Sequence, residues 1–138
     1  MDREIIARKL DSLQRCLQRI ETKCPNDPSI LILDIDLQDI ISINLSRAVQ
    51  LSVDIGAHLV SCLNLPPPNS MGQTFEQLEQ AGLINANLAT NLKKAIGFRN
   101  IAVHNYDVIN WHIVYSIIKN HLVDFTEFAT MVSDIEQL

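Results

Sequence analysis

Five polar residues, Arg99, Asn100, His104, Asn105 and Tyr106, fall within one eight-residue stretch that follows Gly97-Phe98. Their types suit chemistry on a phosphodiester. A guanidinium grips phosphate oxygens bidentately and stays charged at every relevant pH. An imidazole titrates near neutrality and can take or give a proton. Asparagine orients a hydroxyl or a phosphate, and tyrosine donates a hydrogen bond or stacks on a base. Cleavage of RNA through its own 2′-hydroxyl needs a base, an acid and positive charge at the phosphorus. Arg99 and His104 supply these without a metal or cofactor.

Spacing complicates the picture. Arg99 and His104 are five residues apart, which on a straight helix separates their directions by about 140°. They meet only if the helix ends between them and the histidine folds back, or if each meets the other residue of a second chain. Asn105, Tyr106 and Asp107 break the apolar pattern, and Asp and Asn favour caps and turns. A blander alternative has Arg99 and Asn100 capping helix carbonyls with His104 on the surface.

The elements that position this segment read as helices. Ile6, Leu10, Leu13, Leu17 and Ile20 mark one face of a helix over about residues 2–23. Pro25 to Ser29 form a break, and 30–35 read as an extended lead-in. Asp36 is the expected cap of a second helix, with Asp39 in its first turn. Leu37, Ile41, Leu45, Ala48, Leu51, Ile55, Leu59 and Cys62 carry its apolar face to the stop at Pro66-Pro67-Pro68. Thr74 is the expected cap of a short helix over 75–81, stopped by Gly82. A fourth helix runs over about 85–103, and Asp107 or Asn110 caps a fifth. In that last helix Trp111, Val114, Ile118, His121, Phe125, Phe128, Val132 and Ile135 alternate by three and four. A seam of that length needs long partner helices. The expectation is an all-α, antiparallel up-and-down bundle of about four long helices and one short one, in a single domain over 1–138.

Composition limits the function classes. The net charge is −5, which argues against a broad basic surface that grips nucleic acid by counterion release. Any RNA contact must come from a few placed residues. Three cysteines, Cys16, Cys24 and Cys62, lack CxxC spacing, so neither a zinc site nor a disulfide framework is expected. There is no P-loop, HExxH or nucleophile elbow. The N-terminus lacks the apolar core of a signal peptide and no apolar run reaches membrane-spanning length, so a cytoplasmic setting is expected. His58 lies four residues after Asp54 and can pair with it at the surface or serve the rim of a cleft. His121 belongs to the core or an interface, and His112 is exposed. Lys93 and Lys94 either guide RNA or form a solvated face.

Arg99-Asn100-x3-His104-x-Tyr106 resembles the R-x4-H-x-Y signature of HEPN ribonucleases. With Asn91-Leu92-Lys93-Lys94 leading into Gly97-Phe98, and with this helix order, nearly the whole chain resembles the HepT-like toxins of the HepT/MntA (HEPN/MNT) toxin–antitoxin family. The resemblance implies a homodimeric, metal-independent endoribonuclease with its cleft at the dimer interface and no cofactor. It implies Arg99 and His104 as the catalytic pair, with Asn100, Asn105 and Tyr106 in support or in RNA binding. It also implies an MntA-type nucleotidyltransferase antitoxin as partner, which silences the toxin by adding AMP to Tyr106. A second function class stays open: a non-catalytic helical module that docks a nucleotidyltransferase.

Overall fold

The computed structural model describes residues 2–136. Six α-helices and one 3-10 turn make up the order: α1 (Arg3–Lys23), α2 (Pro28–Leu33), α3 (Ile35–Cys62), α4 (Met71–Gln80), α5 (Ala86–His104), the turn Tyr106–Val108, and α6 (Trp111–Glu136). No strand occurs among the described residues. The all-α bundle expected from the periodicity is present.

Most helix starts have a side-chain cap that satisfies a free backbone N–H. Asp2 accepts from Glu4 and Ile5, Asn85 from Leu88, and Asn110 from His112 and Ile113. Asn110, rather than Asp107, therefore starts α6. Two helix ends close by the same device. Asn64 (φ 57°) and Gly82 (φ 81°) adopt the left-handed region, and Leu65 and Leu83 return their N–H groups to the carbonyls of Val60 and Leu78.

Three expectations need correction. Residues 30–35 are not extended: 28–33 form α2 and Ile35 already begins α3. Asp27 caps α2 through the Ser29 N–H, and Pro28 fits the first helical position, where its missing N–H costs nothing. Asp34, not Asp36, caps α3 by accepting from Leu37, which leaves Asp39 one turn further in. Ser70, not Thr74, caps α4. Thr74 is buried, and its methyl group lies 2.8 Å from where a Cβ on Gly56 would sit. The α3–α4 approach thus depends on that glycine. α3 itself ends at Cys62, ahead of the prolines, and the left-handed Asn64 turns the chain away.

The helix directions follow from cross-chain pairs. Asp2 N–H meets His58, Lys9 meets Asp54 at 3.7 Å, and Arg47 acts on Cys16. Those pairs match the start of α1 with the end of α3, so the two run antiparallel. In α5 and α6 the early Asn91 reaches the late Asp124, while late Ile101 and early Ile113 line one cleft. These two helices are antiparallel as well. The core between them is aliphatic, apart from Phe75, Phe98, Phe125 and Phe128, and the rings of Phe75 and Phe128 meet edge to face at 5.8 Å.

Candidate active site

α5 delivers the motif. Its inward face, Leu88, Ala89, Leu92 and Ile96, is buried, together with Phe98. That burial fixes the helix and leaves Asn100 and His104 exposed and Arg99 half-buried. The Arg99 guanidinium donates to the Asn100 side-chain Oδ1 at 3.3 Å. The helix stays regular through His104, and the Asn105 N–H closes it on the Ile101 carbonyl at 2.8 Å. Arg99 and His104 therefore keep their angular separation, and no hydrogen bond joins them among the described residues. The fold-back within one chain does not occur. Asn105 is the C-cap, and its carbonyl accepts from Val108 at 3.2 Å to open the 3-10 turn.

That turn sets Tyr106. Its ring packs edge-on against Trp111, with centroids 5.8 Å apart. Its hydroxyl donates to Asp39 Oδ1 of α3 at 2.8 Å. Partial burial, this hydrogen bond and the Asp39 charge push the phenol pKa up to about 12. Asp39 is the site residue that sequence reasoning missed. Its contact spans 67 positions, and nothing local distinguishes it from a helix-start acid.

Beside the motif, α5 and α6 enclose a cleft of about 510 Å³. Leu92, Phe98, Ile101, Ile109, Ile113 and Ile117 make its wall mostly apolar. Asp124 sits at one end, buried, accepting from Asn91 at 3.4 Å and paired with His121 at 3.1 Å. His121 itself is exposed, which corrects the core expectation for its side chain. Leu122, one residue on, takes the inward position, because a 3.6-residue turn lets a three-four seam shift by one place. The ring stands at the cleft edge instead.

The remaining candidates lie elsewhere. His58 does not pair with Asp54. Its Nε2 accepts the Asp2 N–H at 3.3 Å, while Asp54 takes Gln50 at 2.9 Å and Lys9. Lys93 pairs with Glu76 at 3.2 Å, and Lys94 lines the cleft. Among the described residues no cluster of three metal-binding side chains exists, and the cysteines are free. His112 is exposed, as expected.

Comparison with known proteins places this chain in a family. The profile described as Ribonuclease HepT-like matches residues 13–132. The chain belongs to the HepT-like ribonuclease family. It is 37% identical over 129 residues to a Shewanella oneidensis protein named mRNA nuclease HepT, covering 94% of this chain and 96% of that one. Its fold superposes with a TM-score of 0.89, at 36% identity, on the tri-AMPylated Shewanella oneidensis HEPN toxin solved in complex with an MNT antitoxin, covering 97% of this chain and 99% of that one. A cytosolic protein of unknown function from Bacillus subtilis, YutE, shares the fold at a TM-score of 0.85 but only 17% identity, covering 98% of this chain and 90% of that one.

Proposed function

We propose that this chain, as a single domain over 1–138, is the toxin of a toxin–antitoxin pair. It is a metal-independent, cofactor-free endoribonuclease of the cytoplasm, restrained by a nucleotidyltransferase antitoxin. The observation that carries this is the placement of Arg99, His104 and Tyr106 on the last turns of α5 and the turn that follows, in a chain of the HepT-like family. The relatives' names supply the substrate class and the partner: an mRNA nuclease in one, an AMP-carrying toxin with its antitoxin in the other.

In this proposal the catalytic cleft belongs to a homodimer. α5 runs unbroken from Arg99 to His104, its last residue, so one chain does not converge them. Two copies of Arg99 facing one cleft clamp the phosphate. One His104 takes the 2′-hydroxyl proton as the oxygen attacks phosphorus, and the other protonates the departing 5′-oxygen. Asn100, already bonded to Arg99, orients the guanidinium, and Asn105 and Tyr106 contact the RNA. Exposed Ile101, Val103, Val108 and Ile113 surround the motif with apolar surface suited to a second protomer. No described helix is long and apolar enough to cross a membrane.

Tyr106 is the off-switch. An AMP on its hydroxyl places a phosphate and a nucleotide where RNA must lie, opposing binding by repulsion and occlusion. Incubation of AMP-free protein with total RNA and tRNA in a chelator tests the proposal. Cleavage that leaves 2′,3′-cyclic phosphate ends and is lost in folded Arg99→Ala and His104→Ala supports it. AMP-free wild type that is inert on all RNA yet binds the nucleotidyltransferase favours the non-catalytic module, which the acidic net charge of −5 would suit.

A further inference from the structure

We infer that Asp39 is the proton acceptor for the modification of Tyr106, so that the toxin itself activates the hydroxyl its partner adenylylates. This rests on the reading of Tyr106 as the modified residue. Three observations carry it. The Tyr106 hydroxyl donates to Asp39 Oδ1 at 2.8 Å, across 67 positions of chain. Asp39 is exposed and has no other hydrogen-bond or ion-pair partner among the described residues. The ring is held by Trp111 on one side, yet 37% of the residue remains open to an incoming reagent.

A phenol is a weak nucleophile until its proton leaves. Here partial burial, and after it the hydrogen bond and charge of Asp39, raise the phenol pKa to about 12, so the hydroxyl keeps its proton well above neutral pH. The same contact also gives the proton somewhere to go. As Tyr106 Oη bonds to the α-phosphorus of a nucleoside triphosphate, the bond from that phosphorus to the bridging oxygen breaks. Pyrophosphate departs, and the phenolic proton passes to Asp39 Oδ1. The product oxygen carries no hydrogen, and its new phosphodiester faces a carboxylate. The reaction therefore breaks the tether to α3 and pushes the nucleotide away from that helix.

Charges around the phenol are few. From α3 it meets Asp39, the one charged group that shifts it. Asp107 of its own turn, His104 at the end of α5 and His112 at the start of α6 are all exposed.

The test uses the full AMP-free chain with its cognate nucleotidyltransferase and magnesium-ATP. The first addition is timed by intact mass between pH 7 and pH 10. Asp39→Asn, whose fold is checked by its melting curve, should slow that first transfer about 100-fold at pH 7, the usual scale of one general base. The deficit should shrink as pH rises, because phenolate then forms unaided and the amide no longer holds its pKa up. Groups on the partner titrate alike in both reactions and cancel in the ratio. Asp39→Glu should recover part of the rate. Where further AMP is added to the ribose of the first, those later steps should keep their wild-type rate. A ratio within twofold at pH 7, or a deficit constant across the pH range, overturns the inference while leaving Tyr106 as the target. Absence of transfer to wild type, or undiminished transfer to Tyr106→Phe, overturns the reading of Tyr106 and the inference with it.

Discussion

Tyr106 and Asp39 make a pair whose titration is predictable. The protein has two tyrosines, Tyr106 and Tyr115. In an ultraviolet titration Tyr106 should ionise at about 12, and Asp39→Asn should bring it down toward the ordinary phenol value. The sign for stability follows from the raised pKa. The pair's contribution is complete below the unfolded phenol's pKa and is lost as pH climbs through the folded one. Burial, the largest cause of the shift, survives in Asp39→Asn, so alkaline unfolding of wild type should include a step that this variant shows only in reduced form. At the same scale, Arg99→Ala and His104→Ala should each lower RNA cleavage by about 100-fold or more while the fold persists. Arg99→Lys should recover little, because a point charge cannot replace a bidentate fork. Cleavage rates on one defined RNA check all three. Arg99, His104 and Tyr106 of the proposed site stand out in sequence because their types crowd into eight residues. Asp39 was not, because its role exists only once α3 and the 3-10 turn are side by side.

The buried faces of the long helices and the bounds of α1 and α5 are legible in the sequence, whereas the starts of α2, α3 and α4 are not, for a definite reason. Apolar periodicity reports which face is buried over many residues, and α1, α3 and α6 carry that signal. A start depends on one side chain reaching one N–H. Asp27 and Asp34 do so, whereas Asp36 only resembles a cap. Asp27-Pro28-Ser29 reads as a break because proline marks turns as well as first helical positions. Asp34→Ala should cost about 1 kcal/mol, the usual value of a cap, measured by denaturant unfolding. Gly56 tests packing between elements. An alanine there gains up to about 1 kcal/mol of helix propensity. Its methyl group would also stand 2.8 Å from the Thr74 methyl and 3.4 Å from Leu78. Thr74 is β-branched and buried, so it yields little, and overpacking of about 1–3 kcal/mol prevails. Gly56→Ala should unfold at lower denaturant than wild type.

For the whole molecule, the arrangement of α5 decides what a second copy must provide. α5 continues through His104 and closes at Asn105, so the angular gap between Arg99 and His104 is a property of the protomer and not of a frayed end. The surface around them is apolar where a free surface would be charged: Val108 is 59% exposed and Ile113 58%. Ile113 also lines the cleft between α5 and α6. A charge placed there should be tolerated by the protomer and not by a dimer. Ile113→Asp is expected to sediment as a folded monomer and to lose RNA cleavage with Arg99 and His104 intact. A dimer that merely juxtaposed two independent sites would behave differently from one that shares a single cleft. The difference appears in a heterodimer of one wild-type chain and one His104→Ala chain, each carrying a different affinity tag so that only mixed dimers are recovered. Two independent sites would leave half of the wild-type rate, because one site still holds everything it needs. A shared cleft has lost either its base or its acid, and the rate should fall by about 100-fold, the contribution expected of one positioned proton-transfer group. A heterodimer at half the wild-type rate would mean two separate sites, each either pairing Arg99 of one chain with His104 of the other or held in one chain, which would then have to bend α5.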